Sequence, residues 1–168
     1  MAKFVVENVK NDTTVLDIGF ADGDILKQCL KKSNSKFYGI DISPDMVRLA
    51  SQKNRQAMKK GRLVLRTASA EHMSFERPFG QIYTSNTVYF WVDPVVTLQK
   101  IYENLERGGE FLNLFRNKEW LDKNSFTIYG FAKYTEQELV DMTARAGFET
   151  ELIPICAGTF CIRATKPL

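Results

Sequence analysis

Short β-rich runs alternate with longer stretches of helical periodicity along most of this chain, and that alternation restricts the fold more than any other feature. TTVLDIG (13–19), KFYGIDI (36–42) and RLVLRT (62–67) are apolar runs of strand length. Between them, GDILKQCLKKS and SPDMVRLASQKNRQAMK repeat apolar residues three and four apart, as one face of a helix requires. FGQIYTSN (79–86) reads as a fourth strand, DPVVTLQKIYENLERGG (93–109) as a helix stopped by Gly108-Gly109, and EFLNLF (110–115) as a fifth strand. Ser43 is placed to cap the second helix, with Pro44 at its first position, and Thr135 with Glu138 forms a capping box opening TEQELVDMTARAG. FETELIPI and GTFCIRAT follow with no helix between them, so they predict an antiparallel hairpin. The expected fold is α/β: a Rossmann-like, doubly wound, mostly parallel seven-stranded sheet with an antiparallel strand pair at the C-terminal end.

A length of 168 residues predicts a single domain spanning 1–168. The balance of 23 basic and 20 acidic residues, without a basic cluster, argues against a nucleic-acid partner. No apolar run reaches membrane-spanning length and the first residues lack the apolar core of a signal peptide, so a cytoplasmic protein is expected. Three cysteines without metal-ligand spacing and a single histidine, His72, give no basis for a zinc site or a histidine-based triad, so no metal is expected.

In such a sheet the first strand-to-helix turn is the usual ligand site. Here that turn is VLDIGFADGD (15–24). Gly19 and Gly23 permit close backbone approach, while Ala21 stands where a middle glycine is usual and is tolerable only if the loop shifts slightly. Asp17, Asp22 and Asp24 would repel the pyrophosphate of a dinucleotide, which disfavours a nicotinamide-dependent oxidoreductase, and would attract a cation. Asp22 and Asp24 have a plainer alternative reading as acids at a helix N-terminus. Asp41 ends the second strand near the spacing at which an acid accepts ribose hydroxyls.

Taken in order, VLDIGFADGD, YGIDIS, RTASAEHMSF, LERGGEFLNLF and YTEQELVDMTARAGFE resemble the successive motifs of class I S-adenosylmethionine-dependent methyltransferases of the small-molecule, methyltransferase-domain type. The resemblance covers nearly the whole chain and implies S-adenosylmethionine as cofactor. It implies that Asp17, Gly19 and Gly23 line the methionine part, that Asp41 holds the ribose and that Ile42 packs on the adenine. Ser69 stands where the family places an aspartate bonding the adenine amino group, Ala70 would offer its backbone amide, and Asn86 and Thr87 match the cofactor-facing pair. Ala68 and Ser69 depart from the family pattern.

The acceptor side is expected in SNTVYFWVDP (85–94) and the aromatic stretch FTIYGFAKY (126–134), where Phe126, Tyr129, Phe131 and Tyr134 join Tyr89, Phe90 and Trp91. Such rings either line an apolar pocket or complete the core. Tyr89 is the pocket candidate, and Tyr89, Glu71 and His72 are the groups that could take a proton from the acceptor. The acceptor is expected to be a small or lipid-like molecule. Only a dozen residues precede the first strand, fewer than the lid helices usual in the resembled family, so the site is expected to be open. A second subunit, a large acceptor or a missing N-terminal part would cover it. The competing reading is a noncatalytic cofactor-binding or partner-binding domain of the same fold.

Overall fold

Each strand-like run forms a strand, and the order in which they pair creates a reversal beside the first of them. The computed structural model describes residues 1–168. Its strands are β1 (Thr14–Ile18), β2 (Lys36–Asp41), β3 (Leu63–Thr67), β4 (Phe79–Ser85), β5 (Leu105–Arg116), β6 (Glu149–Cys156) and β7 (Thr159–Thr165). They form one seven-stranded sheet in the order β3-β2-β1-β4-β5-β7-β6. The first five pair in parallel, and β7 lies antiparallel between β5 and β6. The C-terminal hairpin therefore extends the sheet at one edge, as the absence of a helix between its strands predicts.

Seven helices accompany the sheet: α1 (Ala2–Asn8), α2 (Asp24–Lys32), α3 (Pro44–Lys53), α4 (Arg55–Lys59), α5 (Pro94–Glu103), α6 (Lys118–Asp122) and α7 (Glu136–Arg145). Val5 of α1, Leu26 and Cys29 of α2 and Ala50 of α3 pack on one sheet face against Val15, Phe37 and Leu112. Leu98 and Ile101 of α5 and Leu139 of α7 pack on the other against Leu16, Ile82 and Phe111. Each fully buried aliphatic or aromatic side chain here contributes about 1.5–3 kcal/mol through removal from water. The predicted caps form: the Ser43 hydroxyl accepts from the Met46 N–H, and Thr135 and Glu138 complete a reciprocal capping box.

Two boundaries differ from the sequence expectation. The helix expected to run from Ser43 to Lys59 is broken at Asn54, whose buried amide donates to the carbonyls of Ala50 (3.0 Å) and Gly23 (3.2 Å) and whose backbone leaves helical geometry. This side chain ties α3 to the first turn. Gly108-Gly109 does not stop α5 either. Asn104 does, because its amide donates to the Lys100 carbonyl at 2.8 Å and its own carbonyl is taken by the Phe79 N–H at 2.8 Å. The glycine pair instead falls within an irregularity of β5, between residues paired with Phe79 and Gln81.

The N-terminal residues form α1, held by a fully buried Gln81. Its side chain donates to the Asn8 carbonyl at 2.9 Å and accepts from the Lys10 N–H at 2.9 Å.

Candidate functional site

Because β1 pairs with β2 on one side and β4 on the other, the chain leaves the two edges of β1 in opposite directions and opens a crevice at the carboxyl ends of these strands. A cavity of about 440 Å³ occupies it. Ile18, Gly19, Ile40 and Asp41 form its floor, Ala68, Ala70 and Glu71 one side, and Ser85, Asn86 and Thr87 the other. Phe90 and Trp91 close one end, and Ile42, 70% exposed, stands in the wall as an apolar surface open to solvent.

Asp41 is the most tightly fixed polar group of this wall. The Ala21 N–H donates to its Oδ2 at 2.9 Å and the Ser43 N–H to its Oδ1 at 2.9 Å. The first of these bonds depends on the turn conformation. Gly19 (φ 73°) and Ala21 (φ 51°) are both left-handed, so the turn keeps a glycine-like backbone at Ala21 rather than relaxing away from it. That conformation costs an alanine about 1–2 kcal/mol. At Gly19 the need for glycine is also steric, because a Cβ there would lie 2.2 Å from Thr87 Cγ2. Thr84 donates to the Ile18 carbonyl at 2.8 Å, so its oxygen is free to accept from the Thr87 hydroxyl beside it.

The three aspartates of the first turn do not face the cavity, which corrects the reason given for a cationic ligand. Asp17 is buried on the opposite sheet face, beside Cys29 and Tyr83. Burial pushes its carboxyl up to about 8; the neighbouring Tyr83 hydroxyl offsets part of this, and Asp41 adds a smaller upward push. Asp17 is therefore largely uncharged at neutral pH. Asp22 and Asp24 both hold Lys53 Nζ, at 2.5 and 2.7 Å, and Lys53 keeps the Asp22 carboxyl below its usual range. The acidic groups in the cavity wall are Asp41 and Glu71. Gly23 is a left-handed helix cap whose absent Cβ would meet Ala50 and Asn54 within 3 Å, so its contacts are with α3 rather than the cavity.

Among the other expected site residues, Ile42, Ala70, Asn86 and Thr87 line the cavity and Ser69 does not. The Ser69 hydroxyl pairs with Nδ1 of exposed His72 at 2.9 Å, and both lie off the wall. The Ala70 N–H makes no hydrogen bond within the chain. Glu71 accepts from the Val92 N–H at 3.1 Å, joining the loop after β3 to that after β4. Asn86 adopts a left-handed backbone, φ 59°, at the point where the wall turns.

Tyr89 is buried, and its hydroxyl accepts the backbone N–H of Arg116 while lying 3.3 Å from both Asn86 Oδ1 and the Arg116 carbonyl. Burial pushes the phenol up to about 12, so it stays protonated at neutral pH and pins the short 3₁₀ turn 88–90 to the end of β5. On its far side lies a second cavity of about 310 Å³, sharing Asn86 and Phe90 with the first. Tyr89, Arg116, Trp120, Leu121, Phe126 and Phe131 complete its wall. Arg116 was not anticipated, because one arginine after a strand has no sequence signature. Trp91 was anticipated only as one of several aromatics. No group of three or more His, Cys, Asp or Glu side chains could hold a metal ion, and no helix is long and apolar enough to cross a membrane.

A parallel sheet with its cavity at the strand-order reversal, completed by an antiparallel hairpin, defines a Rossmann-like class of nucleotide-cofactor folds. The family described as methyltransferase domain matches residues 15–109, more than half of the sequence, and the chain belongs to that family. Solved structures share the fold at low identity. The [4+2]-cyclase SpnF superposes with a TM-score of 0.87 at 14% identity, covering 99% of this chain and 80% of that one. Phosphoethanolamine N-methyltransferase 2 of Haemonchus contortus, in complex with S-adenosyl-L-methionine, gives 0.84 at 15%, covering 99% of this chain and 52% of that one. The N-methyltransferase NodS of Bradyrhizobium japonicum gives 0.76 at 14%, covering 93% and 86%. No curated protein matches the sequence significantly.

Proposed function

We propose that the chain is an S-adenosylmethionine-dependent methyltransferase acting on a small or lipid-like organic acceptor, at oxygen, nitrogen or carbon, by in-line displacement. The observation that carries this reading is Asp41. Its carboxylate is held by two backbone N–H groups, faces the cavity at the strand reversal, and retains lone pairs for two neighbouring ribose hydroxyls.

The rest of the wall fits the same cofactor. The unpaired Ala70 N–H would donate to the adenine edge, and Ile42 would pack on the adenine face. Gly19 lets the backbone approach the methionine end, next to Asn86 and Thr87. Asp41 and Glu71 give the wall a negative sign suited to a cationic ligand. Asp17, Gly23 and Ser69 act behind the wall: Asp17 under the turn, Gly23 in its packing on α3, and Ser69 in fixing His72.

When bound, S-adenosylmethionine supplies an electrophilic methyl carbon on a sulfonium, which an acceptor lone pair attacks as the carbon–sulfur pair returns to sulfur. The chain's own contribution is alignment, which can account for much of the rate of such a displacement. Tyr89 contributes by positioning Asn86 and the end of β5, and its phenol is too weakly acidic to serve as a base at neutral pH. Where the acceptor must lose a proton, Glu71 and His72 are the groups nearest the rim able to take it.

Titration calorimetry with S-adenosylmethionine and with a nicotinamide dinucleotide tests the reading. Binding of the first alone, followed by transfer of labelled methyl to a component of cell extract, supports it; binding of the dinucleotide alone overturns it. A noncatalytic cofactor-binding or partner-binding domain is favoured by one observation, the commitment of Ser69 to His72 away from the cavity. Tight cofactor binding with no transfer would select that alternative. The likeness to a protein named as a cyclase is a reminder that the fold by itself does not fix the reaction.

A further inference from the structure

The second cavity holds one cation that no acid of the chain neutralises. Arg116 lines it, and its guanidinium makes neither an ion pair nor a side-chain hydrogen bond within the protein. Two other long cations near this end are paired, Lys123 with Glu119 and Lys133 with Asp122, and Lys118 is exposed and does not line the cavity. Arg116 instead lies over the Trp120 ring, 4.2 Å from its centroid. A guanidinium resting on an aromatic face keeps its edge N–H groups available, and their fork matches the oxygens of a carboxylate or phosphate. Partly enclosed among rings, those donors have few alternative partners.

We infer that this cavity binds the acceptor, and that the acceptor has an apolar, ring-sized body carrying a carboxylate or phosphate bound by Arg116. The inference rests on the methyltransferase reading for the word acceptor; the anion site itself does not. Phe90 and Phe131, with centroids 4.8 Å apart, and Phe126 provide the apolar wall. A cavity of about 150 Å³ accommodates benzene, so the volume of about 310 Å³ leaves room for a ring and a short acidic chain. Asn86 and Phe90 belong to both cavities, so a molecule seated here abuts the cofactor cavity. The two walls also differ in sign: Asp41 and Glu71 face the first, Arg116 the second. An anionic acceptor is thus directed away from the first cavity and into the second.

The sequence contains two tryptophans, and they report separately, because Trp91 lines the first cavity and Trp120 the second. The test is nuclear magnetic resonance of their indole N–H signals in the full chain. The probes are S-adenosylhomocysteine for the first cavity and 3-phenylpropanoate, phenyl phosphate and neutral 3-phenylpropanamide for the second. At least one of the two acids should shift the Trp120 signal with at least tenfold higher affinity than the amide, and whichever binds more tightly identifies the anionic group. Arg116→Met should abolish that preference and Arg116→Lys should retain part of it. Both variants should fold, since the tie from this position to Tyr89 is made by the backbone. Equal binding of acids and amide, or a preference that survives Arg116→Met, overturns the inference. If S-adenosylhomocysteine leaves Trp91 unchanged while the Arg116-dependent preference persists, the methyltransferase reading fails and the anion site stands. If S-adenosylhomocysteine shifts Trp91 and no acid preference exists, the anion site alone fails.

Discussion

The two cavities that meet at Asn86 and Phe90 are built from different materials. The larger depends on backbone: the left-handed Gly19 and Ala21 of the first turn, two N–H groups clamping Asp41, an unpaired N–H at Ala70. The smaller depends on side chains from three separated segments, the turn after β4, the end of β5 with α6, and the stretch near Phe126 and Phe131. Backbone-built walls are specified by conformation and tolerate few residue types, whereas a wall of rings tolerates many that fill the same volume. On the proposed reading, cofactor recognition can therefore stay fixed while acceptor choice varies, and the two regions should respond differently to substitution.

The largest expected effect concerns what supports the first turn from beneath. Asp17 has an ordinary carboxyl value of 3.8 and a folded value of about 8. The folded state therefore holds this proton more tightly than the unfolded chain. The associated stabilisation is complete below about pH 4 and is lost as pH rises to about 8, on the order of 5 kcal/mol for this group alone. Asp17→Asn should flatten that part of the profile and should be the more stable protein near pH 8.5, as measured by denaturant unfolding across pH. Parallel profiles would mean that Asp17 is charged and hydrated in the folded protein.

Next in size is Gly19→Ala. The new methyl must displace Thr87 Cγ2, and the residue must keep φ near 73°, so the variant should lose about 2–4 kcal/mol of stability. Adding Thr87→Ser removes the clashing methyl while keeping the hydroxyl, and should restore the packing part of the loss. If the double variant recovers nothing, backbone strain alone accounts for the glycine.

The difference in building material also explains what could be read from the sequence. Strand alternation, the Ser43 and Thr135 caps and the hairpin near the C-terminus are local, and each forms where its residues predict. Asp41 could be assigned to the wall from its place at the end of a strand, and Ile42 and Ala70 through the family resemblance of the motifs that hold them. The sign of the first turn could not be read. Whether Asp17, Asp22 and Asp24 face a ligand depends on which side of β1 a side chain leaves and on Lys53, which arrives from 29 residues beyond Asp24. The break at Asn54 was hidden because a buried asparagine bonding two carbonyls looks the same in sequence as one exposed on a helix. Arg116 was hidden for a similar reason: its significance comes from having no partner, a property of the folded chain alone.

Asp41→Ala gives the third prediction. It removes the acceptor for the Ala21 and Ser43 N–H groups together with the proposed ribose contacts, and should weaken S-adenosylmethionine binding by about 1–3 kcal/mol in calorimetry. Unchanged affinity would move the ribose elsewhere in the cavity. The smallest effect is expected across the shared wall. Trp120→Ala removes the ring beneath Arg116 and enlarges the second cavity, yet Trp120 is not part of the wall of the first. Cofactor affinity should change by no more than about 0.5 kcal/mol, as for substitutions remote from a site. A tenfold change would mean that Asn86 and Phe90 transmit the packing of one cavity to the other. The two would then have to be treated as a single site in which acceptor binding conditions the cofactor.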